Sequence, residues 1–157
     1  MGDYNRSTKE IMFGDVPANI ITSIQTYIEK HNLGDILSNP SMCIVSTSEK
    51  IKKGLFGGGA GPKFLIQTVI LTGRWLALAD NVDQNALYIK SMQLRDITVE
   101  DYEKSQFYKM IPDSGMNING RFTDASEIGT IFLPLGKDEA GDKFKSALIE
   151  AVQKAKE

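Results

Sequence analysis

The segment Gln67–Asp80 constrains the fold of this chain more than any other part of its sequence. It predicts two apolar strands that fold back on each other through a turn at Thr72-Gly73-Arg74, where a hydroxyl residue and a glycine favour chain reversal. The apolar runs on both sides of the turn are nearly continuous, which is typical of strands covered on both faces. This hairpin belongs to a run of seven candidate strands that ends in one amphipathic helix.

The candidate strands are recognised by alternating or continuous apolar residues bounded by turn residues. They span about 41–51, 63–72, 74–80, 86–92, 94–102, 116–121 and 127–133. The connection at about 103–114 is polar, and we expect Phe107, Tyr108, Met110 and Ile111 to tuck part of it against the domain. The final helix begins near Asp138 and shows one apolar face.

The beginning of the chain predicts one further helix. Residues 1–14 are expected to be loose, and Asp15 is then expected to act as the N-cap of a helix at about 16–32. Isoleucines at helical spacing give this helix one apolar stripe, and Gly34 lies where a C-terminal cap residue is expected. We therefore expect a single domain over 1–157, with this helix beside a unit that spans 41–155.

Composition excludes several classes of function. A net charge of -2 argues against general attraction to nucleic acid. Cys43 is the only cysteine and His31 the only histidine, which excludes an intrachain disulfide, multi-cysteine and histidine-based zinc sites, and triads that need a second histidine. These features favour a cytoplasmic protein. Because no apolar run reaches the length of a transmembrane helix, membrane contact is expected to be peripheral, at the inner face of the membrane.

The order of elements resembles the pleckstrin-homology-like (PH-like) barrel, in which seven strands precede one capping helix. Val69–Leu76 is similar to the apolar-Leu-Thr-x-x-x-Leu hairpin of bacterial PH-like and GRAM-type domains. Three further matches follow in the family's order, namely Ala86–Ile89 with Leu94–Ile97, Gly129–Leu133, and the Phe144–Leu148 helix. The resemblance covers about 41–155 and implies a seven-stranded barrel capped by the C-terminal helix, with the helix at 16–32 as an addition.

The loop at 52–63, between the first and second strands, is the best candidate site, because in the resembled family this loop is the usual lipid contact. It places lysines around an apolar tip, and the candidate ligand- or membrane-binding residues are Lys50, Lys52, Lys53, Leu55, Phe56 and Lys63. The family's inositol-phosphate signature also needs an Arg-x-Arg-like element in the second strand, and this chain has Lys63–Gln67 there instead. The alternative is that the loop is a mobile surface segment with solvated lysines.

Two other patterns in the sequence do not match a catalytic, nucleotide or metal site. Gly57–Phe64 is glycine-rich but lacks the Gly-Lys-Ser/Thr-helix sequence of a phosphate-binding loop. Asp96, Glu100, Asp101 and Glu103 are spaced as a solvated strand face rather than as a calcium or acid–base site. We therefore expect a non-enzymatic binding or scaffolding module without cofactor or metal. Its expected role is protein interaction or self-association, and the alternative is a peripheral membrane adaptor that binds anionic lipid through the basic loop.

Overall fold

The computed structural model describes residues 3–51 and 61–157, in which two antiparallel sheets and two α-helices are formed. The strands are β1 (Tyr4–Ile11), β2 (Met42–Lys50), β3 (Phe64–Leu71), β4 (Trp75–Val82), β5 (Ala86–Gln93), β6 (Ile97–Asp101), β7 (Gly115–Arg121) and β8 (Ile128–Pro134). The helices are α1 (Ala18–Lys30) and α2 (Glu139–Ala155). Strands β1 to β5 form one sheet and β6 to β8 the other, each in chain order.

The prediction of a mainly β protein with two helices is confirmed, whereas a closed seven-stranded barrel is not what the structure contains. The two sheets are separate hydrogen-bonded ladders. Individual bonds join them at two corners. Ser46 donates its hydroxyl to the Pro134 carbonyl at 2.7 Å, and the Thr123 amide donates to the Ser91 carbonyl at 2.9 Å. The result is a two-layer arrangement with open strand edges.

Strand β1 contradicts the prediction that residues 1–14 are loose. It pairs antiparallel with β2, from Tyr4 opposite Lys50 to Ile11 opposite Cys43. Sequence patterning missed this strand because the residues of β1 are mostly polar, and its stability comes from backbone pairing at a sheet edge instead of from an apolar face. Thr8 fastens β1 to the start of α2, since its amide donates to Asp138 at 2.8 Å and its hydroxyl accepts from the Gly136 amide at 2.8 Å.

Helix α1 confirms the apolar stripe but not the predicted N-cap. Asp15 lies in a short 3-10 turn, Phe13–Asp15, and Pro17 occupies the N-cap position. The proline fixes the backbone at the helix start, so the helix begins two residues later than the sequence suggested. Ile20 and Ile24 are buried against the outer face of the five-stranded sheet. This face forms a second, smaller core.

The main core lies between the two sheets and is closed by α2. Phe144 and Leu148 project from α2 into this core and are fully buried. Asp138 caps the helix by accepting the Gly141 amide at 2.8 Å, and an acidic N-cap also suits the positive end of the helix dipole. The predicted fifth strand is shorter than expected because the 3-10 turn Leu94–Asp96 precedes β6 and turns the chain from one sheet to the other.

Candidate functional site

Two of the six sequence-predicted site residues lie at the described ends of the basic segment. Lys50 is the last residue of β2, and its amide donates to the carbonyl of Lys63 at 2.9 Å. Lys63 is exposed. The other four, Lys52, Lys53, Leu55 and Phe56, lie outside the described residues. The structure therefore fixes where the segment leaves and rejoins the sheet, which is beside the start of β1.

Tyr4 and Arg6 on β1 connect these segment ends to the connection between β6 and β7. The Tyr4 hydroxyl donates to the Pro62 carbonyl at 2.8 Å. Arg6 donates from Nε and Nη2 to both carboxylate oxygens of Asp113, at 2.6 and 2.7 Å, and from Nη1 to the Ser48 hydroxyl at 2.6 Å. The guanidinium also stacks on the Tyr4 ring, 4.5 Å from its centroid. The bidentate pair fixes the geometry of this end of the molecule.

The connection between β6 and β7, residues 102–114, is held from below by its own side chains. The Tyr102 hydroxyl donates to the Ile111 carbonyl at 2.7 Å, and the Ile111 amide donates to the Phe107 carbonyl at 2.9 Å. The Tyr102 ring packs edge-on against Phe132 of β8, with a centroid distance of 5.1 Å. Tyr102 is therefore buried beneath the connection, whereas several large apolar side chains of the connection itself are exposed.

Three large apolar side chains within five consecutive positions of this connection are exposed. Phe107, Met110 and Ile111 are 53%, 81% and 64% exposed. Lys104 and Lys109 are exposed in the same connection. We call these five residues the end patch. Neighbouring exposed apolar side chains rimmed by polar residues are a common feature of interaction surfaces.

Charge pairing around the end patch leaves it positively charged. The nearby acids both have basic partners, since Asp113 pairs with Arg6 at 2.6 Å and Glu103 lies 3.7 Å from the Lys137 ammonium. The carboxylate of Glu103 raises the pKa of Lys137. Within the described part of the chain, Lys104 and Lys109 form no ion pair. Their charges therefore face solvent beside the apolar side chains.

Sequence reasoning misjudged this connection. The expectation that its apolar residues tuck it against the domain is wrong for Phe107, Met110 and Ile111, although Tyr108 is partly buried. The hydrophobicity of a residue predicts its burial on average. It does not show whether the core of the domain has room for that side chain. The available signal was the spacing of the three residues at i, i+3 and i+4, which aligns their side chains when the chain is turn-like.

A groove between α1 and the β5 edge is the second surface feature. Its volume is about 690 Å³. Leu87, Tyr88 and Ile89 form its floor, and Thr22 and Thr26 belong to its α1 wall. Tyr27 also lines the groove, and its hydroxyl lies 3.0 Å from the Ser91 hydroxyl, with which it forms a hydrogen bond. Burial raises the pKa of the Tyr27 hydroxyl. The groove thus runs alongside a strand edge.

The acidic residues that the sequence placed on a solvated strand face are distributed between surface and ion pairs. Asp96 and Glu100 are exposed. Asp101 accepts from the ammonium of Lys145 on α2 at 3.2 Å. Within residues 3–51 and 61–157, no group of three or more acidic, histidine or cysteine side chains is arranged to hold a metal ion. Asp101 therefore helps to position α2.

Cys43 is a buried thiol, and burial raises its pKa above the ordinary value. Both effects lower the accessible thiolate fraction, so we expect the folded protein to resist a colorimetric disulfide reagent at neutral pH. Unfolding in guanidinium chloride should expose one reactive thiol per chain. The absorbance of the released thiolate measures this directly. Rapid reaction in native buffer would contradict the burial of Cys43.

Comparisons of this chain with protein-family models, curated proteins and solved structures found no match.

Proposed function

We propose that this chain is a non-catalytic, PH-like binding module that docks on an anionic membrane surface through its end patch. The observation that carries the proposal is the exposure of Phe107, Met110 and Ile111 beside two lysines without ion-pair partners in the described residues. Apolar side chains enter the interface between headgroups and acyl chains, while lysines stay at the level of the anionic headgroups. The end patch supplies both kinds of contact.

The expected energies are sufficient for reversible docking. Transfer of apolar surface from water is favourable by about 25 cal/mol per Å². Each lysine near an anionic surface adds roughly 1 kcal/mol, and salt screens that contribution. Because hydrogen bonds already order the connection, little conformational entropy remains to be lost when it docks. We therefore expect binding that needs both anionic lipid and the apolar side chains.

The described ends of the basic segment support the same surface. Tyr4 contacts the end of that segment at Pro62, and Arg6 holds the connection through Asp113. Lys50 and Lys63 therefore lie at the same end of the molecule as the end patch. A membrane that meets the end patch would also lie close to these two lysines, which flank the segment that the family resemblance assigns to lipid contact.

The charged groups beside the end patch have a structural role, and this supports a binding module over an enzyme. Arg6 directs three nitrogen atoms to Asp113 and Ser48. Its side chain is 8% exposed and that of Asp113 is 20% exposed. Groups engaged in this way position the connection. The membrane contact that we propose is peripheral, and no helix in the described parts of the chain is long and apolar enough to cross a bilayer.

Vesicle co-sedimentation tests the proposal. We expect the wild-type protein to sediment with vesicles that contain phosphatidylglycerol and to remain in the supernatant with pure phosphatidylcholine. The triple variant Phe107→Ser, Met110→Ser, Ile111→Ser should lose about tenfold or more in affinity, because it removes the apolar contribution. Lys104→Ala with Lys109→Ala should weaken binding mainly at low salt.

The matched control is Ile128→Ser. Ile128 is 69% exposed and begins β8, whereas the connection contacts the chain beyond the other end of that strand, at Leu135. This substitution removes a single exposed apolar side chain outside the end patch and should leave vesicle binding unchanged. Wild-type protein that stays in the supernatant with anionic vesicles, or equal losses for the triple variant and Ile128→Ser, would refute docking through the end patch.

A second candidate function is protein interaction or self-association. It is favoured by a separate observation, the open β5 edge in the groove beside α1. Unpaired backbone groups at such an edge can recruit another extended chain. This function does not compete with membrane docking, because β1 and β5 are at opposite edges of the five-stranded sheet. The connection that carries the end patch is held by Arg6 of β1.

A further inference from the structure

On the side of β5 that faces away from β4, several backbone N–H and C=O groups have no hydrogen-bond partner in the part of the chain that the structure describes. In an antiparallel ladder, successive residues direct their N–H and C=O groups to opposite sides of the strand. The Ser91 carbonyl accepts from Thr123, which is not in β4, so Ser91 faces away from the sheet. Ile89 and Leu87 follow at intervals of two and face the same way.

Four backbone groups are thus available at this edge, the N–H and C=O of Leu87 and of Ile89. Among the described residues, none of them takes part in a hydrogen bond. Leu87 and Ile89 line the groove beside α1. Its other lining residues include the small Thr22 and Ser23 and the charged Lys30 and Asp124. A strand advances about 3.3 Å per residue, so a short extended segment spans this edge.

The stretch of β5 around Tyr88 lacks the charges that usually prevent strand pairing, although Lys90 follows it directly. Sheet edges are commonly protected by charged residues. The opposite edge, β1, carries Arg6, Lys9 and Glu10. By contrast, residues 86–89 of β5 are Ala-Leu-Tyr-Ile, without a charge. Tyr88 is 56% exposed on this stretch. A short uncharged stretch with an exposed aromatic residue is suited to pairing with an identical stretch, provided that the register keeps the two Lys90 side chains apart.

We propose that two copies of this chain pair antiparallel along β5, about a twofold axis at Tyr88. In this register, Leu87 of one copy is opposite Ile89 of the other, and each pair exchanges two hydrogen bonds, which satisfies all four open groups of each edge. Tyr88 then meets its own counterpart at a close cross-strand position. Lys90 falls opposite Ala86 of the second copy, so no like charges face each other.

The occupant is a second copy because the surface is self-complementary. A twofold interface requires that each residue find its partner on the identical surface. Leu87 and Ile89 flank Tyr88 symmetrically, and the exposed ring meets an identical ring. The bond from Thr123 to Ser91 limits the ladder at one end, which centres the pairing on Tyr88. The two five-stranded sheets then join into one continuous sheet.

Disulfide trapping of Tyr88→Cys tests this geometry. Cys43 is buried, so the new cysteine is the accessible thiol in the described residues. Diamide removes two electrons and two protons from two such thiols, and one intermolecular S–S bond forms. We expect the cross-linked dimer to form at least about tenfold faster than for Ile128→Cys, because directly opposed Cβ atoms in a ladder lie only about 5 Å apart. Equal rates on a non-reducing gel would overturn the proposal.

Leu87→Pro in the Tyr88→Cys background tests the hydrogen bonds. The Leu87 N–H faces away from β4, so proline removes an edge donor without breaking the β4–β5 ladder. Cross-linking should fall to the rate of Ile128→Cys, and an unchanged rate would refute strand pairing. If the proline variant does not fold, Tyr88→Lys provides the test, because it places a lysine of one copy opposite the same lysine of the other copy and the two charges repel each other. Sedimentation equilibrium should then show a monomer, and a persistent dimer would contradict the register.

This inference rests on the second candidate function, self-association through the β5 edge, and its failure is distinguishable from failure of membrane docking. Leu87→Pro should retain vesicle binding, since the end patch is unchanged. Conversely, the triple variant of the end patch should still cross-link through Tyr88→Cys. Loss of cross-linking in the triple variant would contradict the independence of the two surfaces.

Discussion

Substitution of Phe144 by alanine is expected to lower the free energy of unfolding by about 3–5 kcal/mol, the usual cost of removing a large aromatic side chain from a core. Phe144 is fully buried where α2 closes the space between the two sheets. The expected loss combines the lost transfer free energy with the cavity left behind. Urea denaturation followed by circular dichroism measures it. An effect of this size leaves a domain of ordinary stability marginally folded.

Phe107→Ala is the matched control for Phe144→Ala. It removes the same atoms from a side chain that is 53% exposed, so its effect on the free energy of unfolding should stay within about 0.5 kcal/mol. The contrast tests the assignment of one phenylalanine to the core and the other to an interaction surface. Equal destabilisation by the two substitutions would contradict that assignment.

Substitution of Arg6 by alanine is expected to have the second large effect, a loss of about 3 kcal/mol, because removing one partner leaves a partly buried charge on the other. Asp113 would lose both bonds from the guanidinium, and Ser48 would lose its donor. The pair joins segments 107 positions apart in the chain. Its loss should therefore also loosen the connection that carries the end patch. Urea denaturation measures the stability change.

Lys143→Ala provides the comparison for Arg6→Ala. Lys143 also pairs with a residue of β1, Glu10, at 2.7 Å, but both side chains are exposed. Exposed pairs contribute only about 0–1 kcal/mol. In addition, Arg6→Ala combined with Asp113→Ala should be less destabilising than the sum of the two single changes, because neither charge is then left alone. Additive effects would argue against the buried pair as the source of the stability.

The hairpin at Gln67–Asp80 shows what the sequence predicts well. Its two apolar runs form β3 and β4, and the Thr72 hydroxyl accepts the Trp75 amide at 2.9 Å within the turn. Strands with apolar alternation and helices with an apolar stripe leave a local pattern, since their burial follows the period of the backbone. β1 leaves no such pattern, because Asn5, Lys9 and Glu10 are placed by backbone pairing to β2.

The site was predictable only in part for a similar reason. The lysines of the segment 50–63 are recognisable in the sequence, and the structure places Lys50 and Lys63 at the ends of that segment. The contact of Arg6 with Asp113 depends on how two distant segments meet, which a single sequence does not encode in any local pattern. Tyr102 of the same connection is buried, whereas Met110 and Ile111 are exposed. Tertiary packing thus determined the surface that carries the proposed function.

The most direct test of membrane docking is the fluorescence of a tryptophan placed in the end patch. Trp75 is the only tryptophan, so Phe107→Trp in a Trp75→Phe background reports from that position alone, and Ile128→Trp in the same background is the control. With vesicles that contain phosphatidylglycerol, we expect the emission of the Phe107→Trp protein to shift to shorter wavelength and that of the Ile128→Trp protein to stay unchanged. An unchanged spectrum at Phe107→Trp, or equal shifts at both positions, would contradict docking through the end patch.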